Sequence, residues 1–547
     1  MTPFALVDLL LLGSLSSLVV GSAAIFILRV LKRNLRMMWL AAFLGTGFSW
    51  LFLVLARSGI PHEIQFTIWM PVNIQDLAHA SNIPVLLLDN ISWTFALVLS
   101  TIALSVILTD VSRLVEESWR FWFSTILITL LGVLAALAGN PFTFILAWTA
   151  LDLADFVISI LNISGDPARR QVFISLVTRI SGIFVMIGVI LLADSQTVLL
   201  TFDMLLPRFA PLILLAVLLR LIYFIFQKSN LYEQEIPLGL GTAVRITSIA
   251  TCLVLIVRVA EVGISAEWMP VLLILSLVLL IYLAIRWVMS ENDLLGRPFW
   301  LMSLALITFV SAIVGNVAAS LIFSVSGLLL IGLQNLARIR VRNLFIFLVL
   351  GIFSISMLPF SPTWQTASLF TYFWNNISFP IAFIATFMGI LGLSLLFLGY
   401  LRFGLALEMG EINQERWIWL LYIPGLALLL LTNYAVGWSN LPDFRNLPLF
   451  EWLVGGLICG LTASLIFYTR RKNILSKFLI NDSRLFVAIK DVGLLGIVNS
   501  LISLILKTIG NIISILNFVL EGEGGLLWSY LFLVMLISLA LQLGLNR

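Results

Sequence analysis

The stretch PFTFILAWTALDLADFVISILN, residues 141–162, is one apolar segment that carries two carboxylates, Asp152 and Asp155. At about 1.5 Å rise per residue it is long enough to cross a hydrocarbon core of about 30 Å as a helix. Segments of this kind recur from one end of the chain to the other. Of its residues 61% are hydrophobic and 11% charged, with a mean hydropathy of +1.12; soluble domains carry about 25% charged residues. A transmembrane β-barrel would show strict alternation over about ten residues, and no such alternation is present. The sequence therefore reads as an all-α polytopic membrane protein.

Sixteen spans can be drawn, at 4–28, 37–56, 86–108, 120–138, 142–162, 171–192, 210–226, 239–262, 269–288, 299–316, 319–338, 343–360, 378–401, 416–436, 449–469 and 525–545. They group as three helices within 1–110, five within 120–262, five within 269–401, two within 416–469 and a final span within 525–547. Between the last two groups, 470–524 holds a basic linker and then a helix with polar residues every three to four positions, Asn499, Ser503, Lys507, Asn511, Ser514 and Asn517. Such a helix lies along a membrane surface or braces its neighbours rather than crossing. Counting alternate loops places 22 of the 31 basic residues on one side and four on the other. The positive-inside rule makes the richer side cytoplasmic. The expected location is thus a plasma membrane, with both termini on the non-cytoplasmic side and the first span retained.

Several functions fit poorly. Cys252 and Cys459 lie inside spans and give no disulfide or metal-ligand spacing. His62 and His79 share one loop, which excludes a haem held by histidines of two spans. No segment between spans is long enough for a catalytic domain. No cofactor, metal or nucleic-acid partner is expected, and no redox or hydrolytic centre; enzymatic action extends at most to a translocase subunit. Tryptophans such as Trp39, Trp50 and Trp119 fall near span ends, where they anchor to the interface.

Ionisable groups deep in a bilayer are costly unless paired or wetted, and so mark candidate sites. Asp152 lies near the midplane of its span, Arg179 at the middle of the next, and Arg220 slightly past the middle of the one after. Arg245 sits two turns inside the cytoplasmic end of the eighth span, and Arg258 lies near its outer end, where it is expected to snorkel. Asp152 should pair with Arg179 or Arg220, while Asp155, a turn nearer the cytoplasm, could equally be solvated. Such a cluster can be a static ion pair, an ion pathway or a headgroup site.

Four stretches carry a family resemblance: LLLDNISWTF (86–95), LAGNPFTFILAWTALDL (137–153), AVLLRLIYFIFQKS with IPLGL (216–240), and GIFSISMLPFSPTW (351–364). In order and spacing they resemble the antiporter-like membrane subunits of respiratory complex I, shared with Mrp-type sodium/proton antiporters and membrane-bound hydrogenases. The resemblance implies two inverted five-helix repeats with broken helices, marked here by Pro237, Pro359 and Pro362, and a lateral helix before the last span. It also implies partner subunits in the membrane and protons or sodium as the ion. Yet the family's relay Glu falls on Thr149, its seventh-helix Lys on Arg220, the following His on Gln227, and its eighth-helix base near Ala243 and Arg245. Arginine keeps its proton, and a threonine hydroxyl stores none. Three functions follow as expectations: a subunit of an energy-converting complex with a degenerate or rewired proton path, an active translocator titrating Asp152, or an unrelated polytopic transporter.

Overall fold

The computed structural model describes residues 3–65, 84–110, 119–163, 166–193, 202–226, 238–264, 268–290, 293–337, 345–405, 416–439 and 449–471. Sixteen α-helices occupy them: α1 Pro3–Val30, α2 Leu35–Ala56, α3 Asn90–Asp110, α4 Trp119–Ala136, α5 Pro141–Asn162, α6 Asp166–Ala193, α7 Phe202–Phe226, α8 Leu238–Ala260, α9 Met269–Met289, α10 Asp293–Ile313, α11 Val317–Leu336, α12 Phe345–Ile355, α13 Ser368–Asn376, α14 Phe379–Leu405, α15 Arg416–Ser439 and α16 Leu449–Arg471. Thirteen helices among the described residues are long and apolar enough to cross a membrane. The amphipathic segment 494–520 and the expected last span lie outside the described residues, as do Gln227 and Pro237.

Burial sorts the helices into an inner and an outer set. Helices α3, α8, α10 and α11 are buried almost throughout, whereas α1, α2, α6 and α16 bury about a third of their residues or less. The inner helices are correspondingly rich in small polar residues. On α3, Thr94, Thr101 and Thr109 donate to carbonyls one turn back, at 2.6, 2.7 and 2.8 Å. Each hydroxyl is thereby satisfied within its own helix, and the short side chains permit the close approach on which helix packing in lipid depends.

Two pairs of closely spaced spans resolve into separate helices, each pair joined by a Gly-Asn turn. Asn140 caps α5, accepting from Thr143 N at 2.8 Å, with Pro141 at the first helical position. Asn316 caps α11 in the same way through Ala319 N at 3.0 Å, and Gly315 before it takes φ +80°, a conformation that favours glycine.

The structure corrects the reading of residues 57–90. The third helix starts at Asn90, not at 86, because Val85–Leu88 forms a strand, β2, paired antiparallel with β1, His62–Gln65. Asp89 ends the strand and starts the helix, accepting from Ser92 N at 2.6 Å. The ribbon is stitched to the α4–α5 turn by Leu87 N to Leu137 O at 2.7 Å and Gly139 N to Val85 O at 2.9 Å.

In the second half the twelfth span is discontinuous, as the resemblance implies. Helix α12 stops at Ile355, and the chain resumes as a short 3-10 turn at Trp364–Ala367 that leads into α13. Pro359 and Pro362 lie in the break, and Met357 and Phe360 take φ +54° and +66°, left-handed values that cost non-glycine residues of order 1–3 kcal/mol each. Thr363 ties the two sides together, donating to Ser354 O at 2.6 Å and accepting from Met357 N at 3.2 Å. In the first half, by contrast, α7 runs unbroken from Phe202 to Phe226.

Glycines on two outer helices let the break fit. A Cβ at Gly455 on α16 would lie 2.2 Å from Met357 O, and one at Gly437 on α15 would lie 2.6 Å from Pro362 Cα. Both obstacles are backbone and cannot swing away. Gly455→Ala is therefore expected to destabilise by about 1–3 kcal/mol through overpacking, read as a lower melting temperature in detergent. Gly456→Ala, whose added Cβ meets nothing within 4 Å, is expected to leave that temperature unchanged or raise it.

Candidate functional site

The site grows from the periodicity of α5. Trp148, Leu151, Asp152, Asp155 and Ser159 follow one buried stripe, while Leu146, Thr149, Leu153, Val157 and Leu161 follow the exposed one. Thr149 is thus on the outer face, its hydroxyl turned back to Ile145 O at 2.7 Å. Thr149, where the resemblance would put a relay Glu, does not reach the buried charges; the carboxylate that does is Asp152, one turn on.

Asp152 and Asp155 are 2% and 4% exposed, Arg220 1% and Arg179 6%, so each charge depends on another for compensation. Arg220 on α7 grips Asp152 as a fork, Nη1 to Oδ2 at 2.6 Å and Nη2 to Oδ1 at 2.6 Å. The fork uses both carboxylate oxygens as acceptors of guanidinium N–H. Beneath it the guanidinium carbon lies 4.0 Å from the ring centre of Trp148, within cation–π range. Arg179 on α6 donates to Asp155 Oδ2 and lies 3.8 Å from Asp152 Oδ1. Ser159 Oγ donates to Asp155 Oδ1 at 3.3 Å. Asp155 is therefore paired, not solvated.

Backbone geometry admits this cluster at Gly182. A Cβ there would lie 2.7 Å from Ala216 O and 2.8 Å from Arg220 Cγ, so only glycine lets α6 approach α7 with the arginine between them. A cavity of about 10 Å³ adjoins Asp152, Asp155, Ser159, Ser175 and Arg179, room for at most one water molecule.

Helix α8 contributes differently. Arg245 is buried, and Cys252, fully buried, adjoins the Arg220 guanidinium. Arg258 does not snorkel. It is 1% exposed, with Nη1 donating to Asp89 Oδ2 at 3.0 Å, Nη2 to Ser92 Oγ at 2.7 Å, and the ring of Phe202 centred 5.4 Å from the guanidinium carbon. The sequence reading missed this second ion pair. Its one sequence signal is Asp89 placed three residues before Ser92, the pattern of a helix cap.

The cavity beside the break in α12 is lined by uncharged groups. A cavity of about 30 Å³ is lined by Trp300, Ser326, Ile355, Thr363 and apolar neighbours, with room for one or two water molecules. Ser326 Oγ donates to Asn433 Oδ1 at 2.7 Å.

Removing one partner of the deep fork leaves an uncompensated buried charge. Arg220→Met is expected to cost about 3–5 kcal/mol, visible as a large fall in melting temperature, whereas adding Asp152→Leu to it is expected to restore most of the loss. A single variant as stable as the parent protein would show that the fork contributes little.

No family model matches the chain, and no curated protein matches it by sequence. Solved structures do match in fold. A chain of the Mrp complex from Dietzia sp. DQ12-45-1b superposes with a TM-score of 0.67 at 13% identity, over 96% of this chain and 62% of that one, so the present chain spans less than two thirds of its length. A chain of the membrane-bound sulfane sulfur reductase, an archaeal respiratory membrane complex, gives 0.67 at 15% identity over 97% and 100% of the two chains. A chain of respiratory complex I from Thermus thermophilus with bound aureothin gives 0.55 at 18% identity over 78% and 97%. The chain thus shares its fold with chains of these three complexes, two of which, the Mrp complex and complex I, are among those its sequence resembles.

Proposed function

We propose that this chain is an antiporter-like membrane subunit of a multi-subunit, energy-converting complex, and that the ion path of its first half has become fixed packing. The observation that carries the second clause is the Arg220–Asp152 fork, two hydrogen bonds of 2.6 Å inside a buried site. A relay needs groups that exchange a proton on demand. Lysine does so when buried, because its charge is readily lost there; guanidinium does not. With Arg179 on Asp155 and Arg220 on Asp152, two cations and two carboxylates neutralise one another in place. Such a cluster sets the register of α5, α6 and α7 and passes nothing through itself. The fold similarity to chains of three membrane complexes supports partner subunits within the bilayer.

The competing reading makes Asp152 the titrating group of a working translocator. It requires the fork to open in each cycle, so that Asp152 alternates between Arg220 and a proton. Proteoliposomes holding the full chain separate the two. On the reading proposed here, an imposed pH or sodium gradient dissipates no faster than in empty vesicles, and Asp152→Asn alters stability without altering flux. Uncoupler-sensitive proton flux lost on Asp152→Asn would overturn it.

A further inference from the structure

Glu451 lies in the first turn of α16 and is 6% exposed. It belongs to none of the ion pairs described above, and its one polar partner among the described residues is Thr371 on α13, with Oγ1 2.6 Å from Glu451 Oε1. Thr371 Oγ1 is also 2.8 Å from the carbonyl of Ser368, one turn back on its own helix. A hydroxyl owns a single proton. If Glu451 is a carboxylate, that proton can fill only one of the two contacts, and the other becomes two facing oxygen lone pairs at hydrogen-bonding distance. If Glu451 carries a proton, both contacts are filled: Glu451 Oε1 donates to Thr371 Oγ1, and Thr371 donates to Ser368 O.

The surroundings act in the same direction. Trp452, next in the chain, packs edge-to-face on Trp364 with ring centres 4.6 Å apart, and Glu451 itself, 6% exposed, has little access to water that could solvate a charge. Among the described residues no charged side chain faces Glu451: Tyr372 beside Thr371 is exposed, and Tyr434 of α15 donates to Leu350 O at 3.4 Å. The partial positive charge at the start of a helix favours an anion, but by about 0.3–1 kcal/mol when exposed and up to about 2 kcal/mol when partly buried. An unpaired buried carboxylate costs more than that.

We propose that Glu451 is a proton-binding site of this chain, a neutral acid seated against the discontinuous α12–α13 segment that exchanges its proton with water and whose charge state Thr371 reads by turning its hydroxyl. Release of the proton leaves a carboxylate, and Thr371 turns its own hydroxyl proton from Ser368 O to Glu451 Oε1. Rebinding turns it back. Each exchange therefore makes or breaks a hydrogen bond in the first turn of α13, a turn also held from the α10–α11 side by Asn316 Nδ2 donating to Ser368 Oγ at 3.0 Å. The site is separate from the arginine-locked cluster of α5–α7, and it stands whether or not the chain moves ions.

Dicyclohexylcarbodiimide, which reacts with protonated carboxylic acids in apolar surroundings, tests this on the full chain in native membranes. The expected result is an adduct located by mass spectrometry on Glu451, absent in Glu451→Gln, with none on Asp152 or Asp155. Infrared difference spectra between the parent protein and Glu451→Gln read the same proton without depending on reagent access. Loss of a protonated-acid carbonyl band at neutral pH supports the proposal; loss of carboxylate bands instead overturns it. The amide of Glu451→Gln keeps the shape of the acid and a donor toward Thr371, so the variant is expected to fold.

Discussion

A guanidinium and a carboxylate removed from water together are the constraint around which the first half of this protein is organised. Neither Arg220 nor Asp152 could be buried alone, since an isolated charge in a medium of low dielectric costs several kcal/mol or more. Their mutual dependence dictates the rest. Helix α5 must turn its Asp152 stripe inward, α7 must place Arg220 opposite it, and α6 must pass close enough to add Arg179, which Gly182 allows. Trp148 then fills the space beneath the fork. A structure assembled this way has little freedom to reassign partners, which suits an element that holds position better than one that cycles.

The second half meets the same environment by another route. It interrupts a helix, exposing backbone donors and acceptors that lipid cannot satisfy, and satisfies them with hydroxyls and with neighbouring helices. Thr363, Ser354 and the glycines of α15 and α16 close the gap without any charge. The two sites therefore differ in how they hold polar atoms inside a membrane: paired ions at α5–α7, hydroxyls and backbone at the break in α12.

Much of this was legible in the residues. The apolar runs located the spans, because length and hydropathy leave few alternatives for a segment that must satisfy its backbone in lipid, but α6, α7 and α10 begin five to eight residues before the runs drawn for them. The pairing of Asp152 with an arginine followed from its depth in an apolar span, whereas Asp155 was left open to solvation, and the break in α12 was an expectation of the family resemblance. What stayed hidden depended on residues far apart in the chain. Arg258 read as a snorkelling end group because Asp89, its partner, is 169 positions away. The strand Val85–Leu88 merged into the apolar run of α3, where periodicity cannot separate a short buried strand from a helix start. Thr149 was one position off the buried stripe, a difference of about 100° around the helix that alignment to a motif does not register. The contact of Glu451 with Thr371 joins residues 80 positions apart, and no local pattern shows it.

The glycine clamp on the α12 break also bears on how the chain assembles. Gly437 and Gly455 belong to helices made after the segment they enclose. During synthesis, α12 and α13 emerge before either clamp exists, so their strained turn at Met357 and Phe360 enters the bilayer without its final enclosure. Maturation of this region must therefore wait for α15 and α16. Truncation ahead of them would leave a half-built span whose open backbone invites quality-control proteases.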